Sequence, residues 1–248
     1  EMFVGGGRHV SMQRNELRKL CGAEQAPTMT RQQATTIDRE HTKLHFMEIG
    51  CGELVEEKDP VIILHGLLGN SMNFNSWAKD LNRRLQSSRR IIIPDLRNHG
   101  QSPHTSSMHY EDMINDVLAL MDREHISSAE FIGHSMGGKV AAGLALRYPH
   151  RVNALAVLDI APVSYSEDSS WWHVDSVITA MTQIPVESLT TRDQADIILK
   201  QTISDPVLRA FALTNLVKDR EKNGLRWRIN VKTIHKSLAN IRERGMYR

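Results

Sequence analysis

Hydrophobic residues along this chain keep two rhythms, and the switches between them mark its elements. Leu44, Phe46 and Ile49 run into Gly50 and Gly52, which predicts a short strand followed by a turn. Val61–Leu64 is an unbroken apolar run stopped by His65-Gly66-Leu67-Leu68-Gly69, as an interior parallel strand feeding a glycine-rich loop would be. Trp77, Leu81 and Leu85 then recur at helical spacing, and Ile91-Ile92-Ile93 forms a second buried run before the loop 95–103. Met113, Val117, Leu118 and Met121 predict an amphipathic helix, and 129–133 a short strand. The next helix spans 136–148. Its Gly137, Gly138, Ala141, Ala142 and Ala145 allow close approach to a sheet, and Pro149 ends it. A further apolar strand covers 155–160. This alternation predicts the α/β class, with a mostly parallel sheet and helices on both faces.

Beyond Val163 the alternation stops and the pattern is expected to be helical. Thr191-Arg192-Asp193-Gln194 has the form of a capping box, and Asp205-Pro206 supplies an N-cap followed by a first-turn proline. Val231, Ile234, Leu238 and Ile241 line one face of a last helix after Asn230. The expected organisation is a disordered polar leader over 1–40, a core over 41–162, and a helical cap with a truncated C-terminus over 163–248.

Composition narrows the function more by exclusion than by signal. Thirty-one basic residues against 29 acidic ones give a net charge of +2, too balanced to advertise nucleic acid or an anionic membrane as partner. Cys21 and Cys51 lie far apart with no clustered histidines, so neither a disulfide framework nor a metal site is expected. No stretch reaches the roughly 18 to 20 apolar residues of a membrane-spanning helix, so no transmembrane segment is expected.

The chemistry is concentrated in Gly133-His134-Ser135-Met136-Gly137, a G-x-S-x-G sequence set between an expected strand and an expected helix. A sharp strand-to-helix turn leaves no room for side chains at the glycines and pushes the serine hydroxyl out at the helix N-terminus. Ser135 is the candidate nucleophile, against the plainer alternative of a glycine-rich turn without chemistry. The N–H of Met136 is one candidate oxyanion donor. Leu67, at the end of a buried strand, is the second. His65 is expected to brace its loop by hydrogen bonding, and Asp95, Arg97, Gly100 and Ser102 to pin the loop after their strand.

Four blocks in order carry a family resemblance: residues 65–69, 95–103, 131–139 and 159–163. Together they resemble the bacterial YbfF-type esterases and the α/β-hydrolase domain-containing protein 11 group, over about residues 43–241. The resemblance implies the α/β-hydrolase fold. It also implies hydrolysis of small acyl esters or thioesters by a Ser-His-Asp triad without cofactor or metal, and mitochondrial residence for animal members, so a mitochondrial or cytoplasmic location is expected. By resemblance the triad acid is Asp159, 24 residues after Ser135. Its position at the end of a parallel strand agrees, although a capping or loop-bracing aspartate would sit there equally well.

In this family the triad histidine comes last in chain order, after the cap. Of the 12 histidines only His235 is late enough to be a candidate, and it falls inside the expected last helix of the cap. The triad histidine is therefore expected to be absent from the chain, at a cost on the order of 10⁶ in turnover. The 155–160 strand is expected to form an open sheet edge, prone to self-association. Two alternatives stay open: a non-catalytic binding homologue, and a serine hydrolase of carbon–carbon bonds. Dehalogenase and epoxide-hydrolase chemistry are disfavoured, because such enzymes carry aspartate where this chain has Ser135.

Overall fold

A computed structural model describes residues 10–13, 41–50, 58–85, 89–161, 171–219, 221–222 and 224–242. Six strands form one sheet: β1 (Val10–Gln13), β2 (Phe46–Ile49), β3 (Val61–Leu64), β4 (Ile91–Pro94), β5 (Ala129–His134) and β6 (Val152–Leu158), in the order β1-β6-β5-β3-β4-β2. The four inner strands are parallel, and β2 and β1 close the two edges antiparallel. Three helices accompany the sheet: α1 (Asn75–Arg84), α2 (Tyr110–Arg123) and α3 (Met136–Arg147).

The unbroken apolar runs follow from burial on both faces. On β3 and β4, Val61, Ile63, Ile91 and Ile93 pack with Phe74 and Ala78 beside α1. Ile62, Leu64 and Ile92 turn the other way, into a larger core with Met113 and Val117 of α2 and Val140 and Ala141 of α3. No strand residue of β3 or β4 has a solvated face, so none needs to be polar.

Strand order also places the site. From β3 the chain moves to β4 on one side, and β5 lies on the other, so the loops leaving β3 and β5 diverge. An open α/β sheet builds its crevice at such a switch point.

The cap comprises α4 (Trp171–Thr182), α5 (Arg192–Leu199), α6 (Pro206–Leu213), the hairpin β7 (Leu216–Lys218) and β8 (Leu225–Trp227), α7 (Val231–Lys236) and α8 (Leu238–Arg242). The expected caps form: Thr191 closes a capping box with Gln194, Asp205 accepts from the Val207 N–H, and Asn230 accepts from the Thr233 N–H. Three expectations are corrected. The cap is not all helix, because Leu216 and Leu225 bury their side chains by pairing β7 with β8. The single last helix breaks at Ser237 into α7 and α8, although Val231, Ile234, Leu238 and Ile241 are all buried as the periodicity required. The β6 edge is not open over residues 154–157, where β1 pairs with it. An apolar edge strand presents unpaired backbone groups that need partners, and four residues of the expected leader supply them. The rest of 1–40 lies outside the described residues. Among those described, no helix is long and apolar enough to cross a membrane.

One buried ion pair ties the layers together. Arg97, in the loop after β4, donates from Nε to Asp116 of α2 at 2.6 Å and from Nη2 at 2.8 Å, with side chains 4% and 0% exposed. Asp116 also accepts the Thr42 N–H at 2.6 Å. Burial pushes the Asp116 carboxyl up and the Arg97 guanidinium opposes that shift. Removing Asp116 leaves the buried Arg97 guanidinium only its longer contact with Asp112 at 3.5 Å, so Asp116→Ala is expected to cost about 3 kcal/mol. The double change Arg97→Met with Asp116→Leu should recover most of that loss in denaturant unfolding. A double variant no more stable than the single one would show that the pair is not the source of the effect.

Candidate active site

Ser135 stands at the apex between β5 and α3 with φ 51 and ψ −120, a backbone state rare for a residue with a side chain. The glycines around it are there for space. A Cβ on Gly137 would lie 2.4 Å from the Leu64 carbonyl oxygen, and one on Gly133 would lie 2.5 Å from the Gly137 carbonyl oxygen. The first turn of α3 therefore presses against the end of β3 and against its own strand. Gly66 is equally confined: a Cβ there would come within 3.2 Å of Ser135 Cβ, so the loop after β3 lies directly against the candidate nucleophile. Ser135 is half-buried, and its N–H donates to the Leu158 carbonyl at 2.9 Å.

The N–H groups of Leu67 and Met136, the expected oxyanion donors, make no hydrogen bond among the described residues. Both groups lie next to Ser135, and free N–H donors are what a reaction that develops charge on a carbonyl oxygen would need. The Leu67 loop is a tight turn. The Gly69 N–H donates to the Gly66 carbonyl at 3.0 Å, and Leu68 takes φ 61 at the third position, which a type II turn normally gives to glycine.

Two buried histidines brace that turn. His65 donates from Nδ1 to the Gly66 carbonyl at 2.8 Å and accepts the Leu96 N–H on Nε2 at 2.9 Å. His99 accepts the Leu68 N–H on Nε2 at 3.2 Å and bonds the Arg97 carbonyl through Nδ1 at 3.0 Å. Each hydrogen-bond pattern fixes a neutral ring with its proton on Nδ1. Burial drives both pKa values down, that of His99 to about 3. Asp95 pins the neighbouring loop as expected, accepting from the Ser71 N–H at 2.6 Å and the Gln101 N–H at 2.8 Å.

Asp159 leaves β6 beside Ser135, since His134 pairs with Leu158 in the sheet register. It has φ 57 and a side chain 72% exposed. The histidine nearest to it is His134, whose Nε2 lies 3.7 Å from its carboxylate. Burial pushes the His134 pKa down against the pull of Asp159. His235 is exposed on α7, and its side chain has no hydrogen bond or ion pair among the described residues. The structure therefore gathers Ser135, Leu67, Met136 and Asp159 at one sheet edge and leaves His235 with no bond to any of them.

Sequence reasoning missed His99, His134 and Asn215, whose side chain reaches from the cap to the Leu68 carbonyl at 2.8 Å. His134 was visible as the variable residue of the elbow motif. Asn215 lies just outside the end of an amphipathic helix, where a buried asparagine and an exposed one read alike.

Comparison with known proteins agrees with this geometry. Residues 59–230 match the family model described as alpha/beta hydrolase fold. The sn-1-specific diacylglycerol lipase ABHD11 of Danio rerio is 38% identical over 189 residues, which cover 75% of this chain and 57% of that protein. Esterase YbfF of Escherichia coli (strain K12) is 35% identical over 73% of this chain and 66% of its own length. A solved marine microorganism esterase superposes with a TM-score of 0.76 at 34% identity, over 84% of this chain and 76% of that one. The chain thus spans somewhat more than half of the lipase's length.

The neutral histidines make stability depend on pH. With His99 near 3 in the fold and about 6.5 when unfolded, the unfolded chain binds the extra proton between those values. Stability is therefore complete above about pH 6.5 and falls as the pH drops, by up to about 1.4 kcal/mol per unit from this residue. Denaturant midpoints compared at about pH 7.5 and about pH 5 should show this fall, and His99→Asn should flatten it. An equal slope in the variant would remove His99 as its cause.

Proposed function

Because the chain belongs to the α/β-hydrolase fold family, we propose that Ser135 is the nucleophile of an acyl-transfer reaction on small carboxylic esters or thioesters. The observation that carries this reading is the strained Ser135 at the switch point of the sheet, with two unpaired N–H groups, those of Leu67 and Met136, in the loop beside it and in its own turn. Ser135 Oγ attacks the acyl carbon, and the carbonyl oxygen gathers negative charge against the two donors. The carbon–oxygen or carbon–sulfur bond breaks, an acyl-enzyme forms, and the leaving group takes a proton. Water then attacks the acyl carbon and restores the Ser135 hydroxyl.

A histidine must accept the Ser135 proton and pass it on. None of the described histidines is hydrogen-bonded to Ser135, and we assign to Asp159 the task of orienting the histidine that serves as base. The Asp159 carboxylate, 72% exposed, is open to such a histidine. The same two facts support a second reading, a homologue that binds acyl compounds without turning them over.

A short-chain nitrophenyl ester separates the readings, with size exclusion confirming a folded protein. Without a base among these 248 residues, release of nitrophenol should be slow, at most roughly 10³ to 10⁴ over water, and Ser135→Ala should remove only the part that passes through an acyl-enzyme. Ordinary enzyme rates would place the base within these residues, with His235→Ala the next variant to make. Release unaffected by Ser135→Ala, with no acyl group trapped on Ser135 by mass spectrometry, would exclude Ser135 as the nucleophile and leave the binding reading.

A further inference from the structure

The oxyanion turn is wired to the cap through two peptide groups in series. Asn215 Nδ2 donates to the Leu68 carbonyl at 2.8 Å. That carbonyl shares its peptide with the Gly69 N–H, which donates to the Gly66 carbonyl at 3.0 Å. The Gly66 carbonyl in turn shares its peptide with the Leu67 N–H, which is free to meet an oxyanion. Donors and acceptors thus run head to tail from Asn215 to Leu67, and hydrogen bonds aligned this way polarise one another and fix each peptide plane.

Asn215 is built to start such a chain. It is fully buried, and its own backbone is held on both sides, with its N–H donating to the Ala212 carbonyl at 3.1 Å and its carbonyl accepting the Arg228 N–H at 2.7 Å. Its Oδ1 is buried without a partner among the described residues. An unsatisfied buried acceptor costs about 1–3 kcal/mol. A leucine of similar size would avoid that cost, so the amide is retained for the bond that its Nδ2 makes.

We propose that Asn215, supplied by the cap, is a positioning residue that orients and polarises the Leu67 N–H through the Leu68–Gly69 and Gly66–Leu67 peptides. The consequence is that the cap completes the oxyanion site as well as covering it. The proposal rests on the acyl-transfer reading of Ser135, and its test keeps the two apart.

The probe is a short alkylboronic acid: Ser135 Oγ bonds to boron, its hydroxyl proton is released to the buffer, and a boron hydroxyl of the resulting tetrahedral boronate anion occupies the oxyanion position. Its Kd is measured for the unaltered chain, Ser135→Ala, Asn215→Leu and Asn215→Ala, together with denaturant unfolding of each. Ser135-dependent binding in the unaltered chain is the precondition, and its failure would count against the acyl-transfer reading itself. Given that binding, Asn215→Leu should unfold at a midpoint close to the unaltered chain, yet bind the boronate about tenfold to a hundredfold more weakly. Asn215→Ala should weaken binding by the same factor despite its smaller side chain. A purely structural asparagine would give the reverse: loss of stability with unchanged boronate affinity in whatever remains folded. That result overturns the proposal, as would failure of both variants to give a cooperative unfolding transition.

Discussion

Everything at the candidate site depends on how closely the first turn of α3 approaches the end of β3. With the Leu64 carbonyl only 2.4 Å from where a Gly137 Cβ would sit, the helix can begin there only if residue 137 has no side chain. That contact forces the turn at Ser135 into its strained backbone. The Met136 N–H, at the first helical position, has no partner among the described residues, and the loop after β3 lies against the serine. Strain of this kind, of order 1–3 kcal/mol, persists only where the surrounding structure fixes it. Leu68, Ser135 and Asp159 all have positive φ at this one sheet edge, so the strain and the candidate chemistry coincide.

Around that contact the protein uses neutral polar groups as braces. His65 and His99 are fully buried, uncharged and engaged at both ring nitrogens, so they hold backbone groups without carrying a charge into the core. The cap is joined to the core by the same means. Asn230 bonds the Asn98 backbone and side chain, His104 meets the Arg228 carbonyl, and Tyr110 and Lys139 reach the Ile241 carbonyl. These bonds join segments far apart in sequence, and those to the Asn98 and Ile241 carbonyls satisfy backbone acceptors inside the fold.

Hydrophobic rhythm made the core strands, the three flanking helices and the caps at Thr191, Asp205 and Asn230 legible before any coordinates, because period and capping are local properties. The β7–β8 hairpin was not legible. Its strands are three residues each and become strands by pairing with one another, whereas their apolar residues fit a helix as well. The pairing of Val10–Gln13 with β6 was hidden for a related reason, since a short polar segment joins a sheet when an edge is available and the edge lies more than a hundred residues away.

The sequence by itself determined the α/β alternation and the tight G-x-S-x-G turn that carries Ser135, since each is written in consecutive residues whose spacing has a steric cause. Tertiary structure alone decided which distant groups meet. It brought the Asn215 amide to the Leu68 carbonyl, His99 to the Leu68 N–H, and His134 to Asp159, while leaving His235 exposed on α7. The physical reason is range. A motif is set by sterics within a few residues, whereas a hydrogen bond between residues 68 and 215 exists only once strand order, loop path and cap packing have all been fixed together.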